Sequence, residues 1–202
     1  MMRRSDASWS LPFANDGGPL IVLPRELLGS WRGIDGEPVR EDFRFGPDYT
    51  RACDAAHPAA LLEIGAGYGL VIGAQDHVCE AQWLRVPGEP WAALVGWDYA
   101  DDGSDARVVE LLRSDGLRWH RFRRRMKLAH GDLLLFHAGT PGDEVRERAT
   151  SSDGPVCIGD ALPLRLGSGE YALEWVELGG DLDRDTLGCV VCRWQAPSAG
   201  PT

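Results

Sequence analysis

The glycine turn from Gly65 to Gly69 is the pattern in this chain that most directly suggests chemistry. Residues 61–69 read Leu-Leu-Glu-Ile-Gly-Ala-Gly-Tyr-Gly, an apolar run that ends in glycines, as in the first motif of S-adenosylmethionine-dependent methyltransferases. That chemistry needs the turn to lead into a helix within an alternating strand–helix unit. Here a second apolar run follows at 70–74, so the sequence predicts a structural hairpin, with a methyltransferase as the alternative hypothesis.

The other reactive side chains do not combine into a recognisable catalytic or metal site. Cys189 and Cys192 form a lone CxxC motif, whereas a zinc site needs a second pair of ligands. In a strand, residues three apart point to opposite faces, so we expect two core thiols. The acidic segment 181–185 resembles the start of a calcium loop but lacks the glycine and glutamate that such a loop needs later. We therefore predict no catalytic residue, no metal and no cofactor.

Two oppositely charged segments are candidates for binding. Residues 118–127 hold six positive charges and no carboxylate, whereas residues 98–115 hold six carboxylates. Strand alternation predicts that the basic segment has a charged face and an apolar face. The charged face would hold Arg121, Arg123 and Arg125, and the apolar face Phe122, Met126 and Leu128. This pattern is typical of a solvated edge strand that resists aggregation; contact with phosphate or RNA, or neutralisation by the acidic segment across the sheet, are the alternatives.

Short apolar or alternating runs recur along the chain with turn residues between them. They predict strands at 20–23, 39–45, 61–64, 69–72, 78–85, 91–97, 119–128, 133–137, 171–177 and 187–194. Helices are predicted at 105–114 and, shorter, at 24–30 and 48–55, with a long loop over 138–155. Many short strands and few helices predict a mainly β (α+β) fold, an antiparallel sheet or sandwich. We expect one domain over residues 9–195, with flexible ends at 1–8 and 196–202.

Composition narrows the classes of protein and partner. The chain has 202 residues, 44% of them apolar, and a net charge of −10. An acidic chain is not expected to bind nucleic acid in general, because such proteins carry basic surfaces, but it suits a basic protein partner. No segment approaches the ~20 apolar residues that span a bilayer, and no apolar run follows the basic first residues. We expect a soluble cytoplasmic protein.

An ordered set of short motifs extends over residues 9–194. The set comprises Trp9, Asp16-Gly17-Gly18-Pro19-Leu20, Trp31-Arg32-Gly33, Asp48-Tyr49-x-Arg51-Ala52-Cys53, the hairpin 62–73, Trp97-x-Tyr99-Ala100-Asp101-Asp102, Leu133-Leu134-Leu135-Phe136 and Gly169-Glu170-Tyr171-Ala172. This set resembles the Immunity protein 21 family, predicted antidotes that are encoded beside bacterial polymorphic toxins. The Gly-Gly-Pro-Leu run is its most characteristic part. The chain departs from the pattern at His137, where an acidic residue would be expected soon after the Leu-Leu-Leu-Phe strand.

The resemblance implies a mostly β fold and a non-catalytic protein that neutralises a cognate toxin by stoichiometric binding in the producing cell. Nuclease toxins are basic because they bind nucleic acid, so an acidic inhibitor gains steered association. The predicted partner-binding residues are Trp97, Asp98, Tyr99, Asp101, Asp102 and Asp105. The same carboxylates would also suit a solvated helix N-terminus. A β-rich structural or regulatory domain without a toxin partner is the remaining alternative.

Overall fold

A computed structural model describes residues 7–14, 17–37, 45–55, 57–73, 78, 80–100, 104–150, 161–179 and 187–196. Within these ranges the chain forms twelve strands, three α-helices and one 3-10 helix. All strand pairs are antiparallel. The predicted mainly β fold with a few short helices is therefore confirmed.

The elements follow the chain in this order. The first half contains β1 (Ser8–Trp9), β2 (Phe13–Ala14), β3 (Leu20–Pro24), the 3-10 helix (Arg25–Ser30), α1 (Pro47–Cys53), β4 (Ala59–Ile64), β5 (Gly67–Ile72) and β6 (Glu80–Arg85). The second half contains β7 (Trp91–Ala100), α2 (Ser104–Arg113), β8 (His120–Leu128), β9 (Asp132–His137), α3 (Gly142–Thr150), β10 (Ala161–Arg165), β11 (Gly169–Leu178) and β12 (Leu187–Gln195). Of the strand predicted at 39–45, residues 39–44 lie outside the described residues.

The strands form two sheets that pack face to face. Sheet A has the order β1-β6-β7-β12-β11-β8, with β2 also paired to β6, and sheet B has the order β10-β9-β3-β5-β4. The largest apolar cluster lies between them and joins Leu20, Leu70 and Leu135 of sheet B to Leu94 and Trp194 of sheet A. The molecule is a β-sandwich, and this middle layer is its main core.

Helices cover the outer faces of both sheets, which gives four layers. On sheet A, Val108, Val109 and Leu112 of α2 join Trp97 and Val191 in a second apolar cluster. On sheet B, a third cluster gathers side chains from the 3-10 helix, α1 and α3: Leu28, Ala52 and Val145, together with Trp31 and Phe136. The central strands of both sheets are thus buried on both faces, which explains why they read as nearly continuous apolar runs.

The structure confirms the hairpin predicted at the glycine turn. Ile64 of β4 pairs with Gly67 of β5 across a two-residue turn, and Gly65 takes a positive φ of 56° there. The turn therefore joins two antiparallel strands and leads into no helix, so the arrangement that a methyltransferase motif needs is missing at this position.

The two cysteines of the CxxC motif also lie as predicted. Cys189 faces α2 and belongs to the second cluster, whereas Cys192 belongs to the core between the sheets. Burial raises the pKa of the Cys189 thiol to about 12 and raises that of Cys192 as well. Thiols that stay protonated and face opposite ways are suited neither to metal binding nor to redox chemistry.

The sequence prediction missed four described elements: the two-residue strands β1 and β2, the helix α3 and the strand β10. The predicted loop over 138–155 is wrong in part, because α3 occupies Gly142–Thr150. Val145 is its one fully buried side chain in the described part, so the apolar period of a helix is barely visible. The strand β10 contains Pro163, which a strand tolerates at a sheet edge, and β10 is indeed an edge of sheet B.

Candidate functional site

The predicted acidic binding residues lie where β7 ends and α2 begins. Trp97 and Tyr99 pair with Cys189 and Gly188 of β12, which leaves Asp98 as an extra residue in a β-bulge. Bulges redirect side chains, and Asp98 is exposed. Asp105 is exposed in the first turn of α2. We call Asp98 and Asp105 the acidic corner.

The aromatic residues of the same prediction lie differently. Trp97 is only 5% exposed, its Nε1 donates a hydrogen bond to Gln82 Oε1 at 2.9 Å, and its ring packs on Trp9 with 5.9 Å between ring centroids. It supports the acidic corner from beneath. The backbone of Tyr99 belongs to β7. Asp101 and Asp102 lie outside the described residues.

A second surface forms where three of the motifs meet. The Gly17–Gly18 turn precedes β3, Tyr49 lies on α1, and His137 ends β9. A Cβ atom on Gly18 would lie 2.7 Å from Tyr49 Oη and 3.2 Å from His137 Nε2. Because Gly18 also has a positive φ of 83°, glycine is required there for both conformation and space. Motifs far apart in sequence thus build one site.

His137 binds two loops, the Gly17–Gly18 turn and the loop at Gly139, each through one ring nitrogen. Nε2 forms a short hydrogen bond with the carbonyl oxygen of Gly17, and Nδ1 accepts one from the Gly139 amide at 3.2 Å. A carbonyl accepts and an amide donates, so these two contacts are satisfied when Nε2 carries the proton and Nδ1 accepts. His137 stacks with Tyr49, their ring centroids 6.2 Å apart. At the position where an acid was expected, this chain has a histidine that fixes loops.

Asp48 connects the same site to its neighbours. Its Oδ2 accepts a hydrogen bond from the Arg32 amide at 2.9 Å, and its Oδ1 pairs with Arg51 Nη1 at 3.1 Å. Arg51 Nη2 also donates to the Glu63 carbonyl at 2.5 Å. Trp31 is anchored separately, because its Nε1 donates to the Ala138 carbonyl at 3.0 Å. The Trp-Arg-Gly and Asp-Tyr-x-Arg motifs therefore have architectural roles.

This framework borders an open depression of about 500 Å³, which we call the Tyr49 depression. Its lining includes Ile34, Phe45, Tyr49, His137 and Glu144. Ile34 is 46% and Phe45 41% exposed, two of the three most exposed large apolar residues in the described part. Burial, followed by the influence of nearby Cys53, raises the pKa of Tyr49 to about 12. A rigid, partly apolar surface of this kind suits recognition by a protein.

Sequence reasoning missed this depression as a site. Its lining comes from three separate segments, around residues 34, 45–49 and 137–144, and no spacing along the chain predicts that they meet. The recurrence of glycine, aromatic and charged residues in the Gly-Gly-Pro-Leu, Trp-Arg-Gly and Asp-Tyr-x-Arg motifs was the available signal.

The basic segment forms β8, an edge strand of sheet A, as predicted. Met126 and Leu128 are buried and Phe122 is half-buried, whereas Arg121, Arg123 and Arg125 are exposed. The acidic segment does not lie beside it, because β12 and β11 separate β7 from β8. Arg121 instead pairs with Glu174 of β11, at 2.5 Å between Nε and Oε1.

No group of three or more His, Cys, Asp or Glu side chains in the described ranges is placed to hold a metal ion. None of the helices in this part of the chain is long and apolar enough to cross a membrane.

The fold and these surfaces define a class of protein: a two-sheet sandwich with helical cover that presents charged and shallow surfaces to solvent. A comparison with protein families matches Immunity protein 21 over residues 13–181. The chain belongs to the Immunity protein 21 family. No curated protein and no solved structure matches it.

Proposed function

We propose that this protein is a non-catalytic immunity protein that binds and neutralises a cognate bacterial toxin in the cytoplasm of the producing cell. The family match over residues 13–181 carries this proposal. Neutralisation by binding needs complementary surface and no reactive groups. The net charge of −10 favours a basic partner such as a nuclease domain, because opposite charges speed and orient encounter.

The acidic corner is the proposed centre of contact, because Asp98 and Asp105 are exposed carboxylates. We propose that Asp101 and Asp102, which lie between them in the sequence, also contact the toxin. Trp97 lies beneath the surface, so its proposed role changes from anchor to support. The Tyr49 depression offers the apolar complement that charged residues alone lack, since binding energy concentrates in buried apolar and aromatic contacts.

The strand registers support a contact that includes both surfaces, because they lie at the same end of the sandwich. A Cβ on Gly96 of β7 would lie 3.2 Å from Ile72 Cδ1, at the end of β5. Ile72 pairs with Leu20, and Leu20 pairs with His137. Because β7 continues beyond Gly96 to Asp98, Asp98 lies at the end of the sandwich that also holds His137, and this placement favours a single contact that includes both surfaces.

Co-expression with a toxin tests the proposal. The toxin is the C-terminal domain of a large secreted protein encoded beside this gene. We expect that the full chain restores growth of cells that produce this domain and co-purifies with it in a fixed ratio. A protein that neither rescues growth nor binds the domain would instead be a β-rich domain without a toxin partner.

Matched charge variants then test the contact. Asp98→Ala with Asp105→Ala should slow association and weaken complex formation further in salt. Glu63→Ala with Glu89→Ala removes the same charge from exposed positions at the opposite end of the sandwich, beside the β4–β5 and β6–β7 turns. If the two double variants bind the toxin equally well, the contact does not include the acidic corner, although the protein still binds the toxin as proposed.

A further inference from the structure

Beside β8, none of the described helices packs on the outer face of sheet A. There Arg121, Phe122, Arg123, Arg125 and the end of β12 border a cavity of about 630 Å³. Glu174 and Ala172 of β11 also line it. This volume is within the range of small-ligand sites, and the cavity is separate from both surfaces proposed for the toxin.

The arginines of β8 are not all matched by acids of the neighbouring strand. Lys127 pairs with Glu170 and Arg121 with Glu174, whereas Arg125 pairs with Ala172. Between these positions the register shifts, so residues 122–124 of β8 oppose Leu173 alone. Arg123, Arg124 and Arg125 make no ion pair with any residue in the described ranges. We call these three residues the arginine cluster.

Glu174 shows how this face satisfies a carboxylate. It is 1% exposed, and its oxygens accept hydrogen bonds from Arg121 Nε at 2.5 Å, Arg193 Nη2 at 2.7 Å and Gln195 Nε2 at 3.0 Å. Arg193 in turn stacks over the Trp119 ring, 3.8 Å from its centroid. Glu174 is fully used by these partners, so among the described residues no carboxylate is left to pair with the arginine cluster.

A phosphate group fits this surplus better than a carboxylate does. One or two guanidinium groups satisfy the two oxygens of a carboxylate, whereas a phosphate has more acceptor oxygens and up to two charges to share among several arginines. Arginine is also preferred for phosphate because its planar fork binds two oxygens at once. A single exposed cation would suffice to protect a sheet edge, so protection alone does not require three neighbouring arginines.

We propose that the arginine cluster and the cavity beside it bind phosphate groups, either of a free phosphate ester or of a single-stranded nucleic acid. The surface around β8 is cationic, although the whole chain has a net charge of −10. Phosphate binding is therefore expected at this edge of sheet A. The proposal is independent of toxin neutralisation.

Fluorescence anisotropy with a labelled ten-residue oligothymidylate tests this site in the full-length protein, with pyrophosphate as an unlabelled competitor. We expect Arg123→Ala, Arg124→Ala and Arg125→Ala together to weaken binding at least about tenfold. The dependence of log affinity on log salt should fall by about 2, since three phosphate contacts are lost from a single strand. Lysine at the same three positions should restore the salt dependence but only part of the affinity.

Arg25→Ala, Arg107→Ala and Arg113→Ala together form the matched control, because they remove the same charge from exposed positions outside β8. Competition by pyrophosphate would support a free phosphate ester as ligand, and binding of the oligonucleotide without competition would support a nucleic acid strand. Equal weakening by the control, or no binding of either probe, would overturn the proposal. Tighter binding of a labelled deca-glutamate peptide would overturn it in favour of an acidic protein segment.

Discussion

The two outer faces of the sandwich are covered in different ways. On sheet B, the 3-10 helix, α1 and α3 enclose an apolar cluster that includes Trp31 and Phe136. On sheet A, α2 packs over Trp97 and Val191, and the part nearer β8 holds the charge network around Glu174. Where a helix covers a sheet, its face is apolar; where none does, buried charge is neutralised side chain by side chain.

The covered and the open parts of the two sheets therefore differ in their expected roles: the covered parts contribute to stability, and the open parts contribute to binding. The cover on sheet B fixes the loops around the Tyr49 depression, so that face provides a rigid surface for recognition. The open part of sheet A has cations beyond those that Glu174 needs, so it has capacity for a ligand. We expect substitutions beneath the helices to cost stability, and substitutions on the open surfaces to change binding.

Trp31→Ala should have the largest effect, because it removes a fully buried ring from the cover of sheet B. We expect a loss of about 3–5 kcal/mol in the free energy of unfolding, measured by urea denaturation. Leu112 lies on the buried face of α2. Leu112→Ala should lower the free energy of unfolding by about 2–3 kcal/mol, because fewer atoms are removed. A larger loss for Leu112→Ala than for Trp31→Ala would contradict this order and show that α2 contributes more to the free energy of unfolding than the cover of sheet B does.

Glu174→Ala tests the polar part of sheet A. It leaves Arg193 buried without its anionic partner, and removing one member of a buried ion pair costs about 3 kcal/mol. Arg121→Ala is the control, because the Arg121 side chain is 80% exposed and exposed ion pairs contribute less than about 1 kcal/mol. Equal losses in thermal unfolding experiments would show that Glu174 depends as much on the exposed arginine as on the buried one.

The sequence predicted strands best where both sheet faces are apolar. The runs in β3, β7 and β12 come from central strands. Trp97 lies in the β7 run two residues after Val95, so both side chains point to the same face of the sheet, and the burial of Trp97 could be predicted from the sequence. The bulge that exposes Asp98 was not readable, because it depends on the pairing with β12. Likewise α3 has too few buried side chains to show a helical period, and Pro163 disguised β10.

Gly18→Ala is expected to disturb the Tyr49 depression with a moderate loss of stability. The positive φ costs about 1–2 kcal/mol for a residue with a Cβ, and the new atom would displace Tyr49 or His137. Gly17→Ala is the matched control, because Gly17 also has a positive φ but a Cβ there would have no atom within 4 Å. We expect both variants to lose stability, but only Gly18→Ala to weaken the toxin complex further, as measured by calorimetry.

Asp98→Ala with Asp105→Ala should lower stability by no more than about 1 kcal/mol, because both side chains are exposed and only Asp105 favours the N-terminus of α2. Their effect should lie in the rate of association with the toxin and in its salt dependence, measured by surface plasmon resonance. A change in dissociation rate alone would show that the corner makes close contacts in the complex and does not act by steering.

The smallest expected effect is the ionisation of Tyr49, which reports on the environment of the depression. Its pKa is raised from 10.0 to about 12, chiefly by burial, so the folded state favours the neutral phenol. The unfolded chain would lose this proton first as pH rises, and the contribution of Tyr49 to stability is therefore complete below pH 10 and is lost between about pH 10 and 12. In a spectrophotometric titration, Tyr49→Phe should remove the tyrosine that ionises late. If the late step persists in Tyr49→Phe, another tyrosine is the more shielded one, and the depression is more open to water than its geometry indicates.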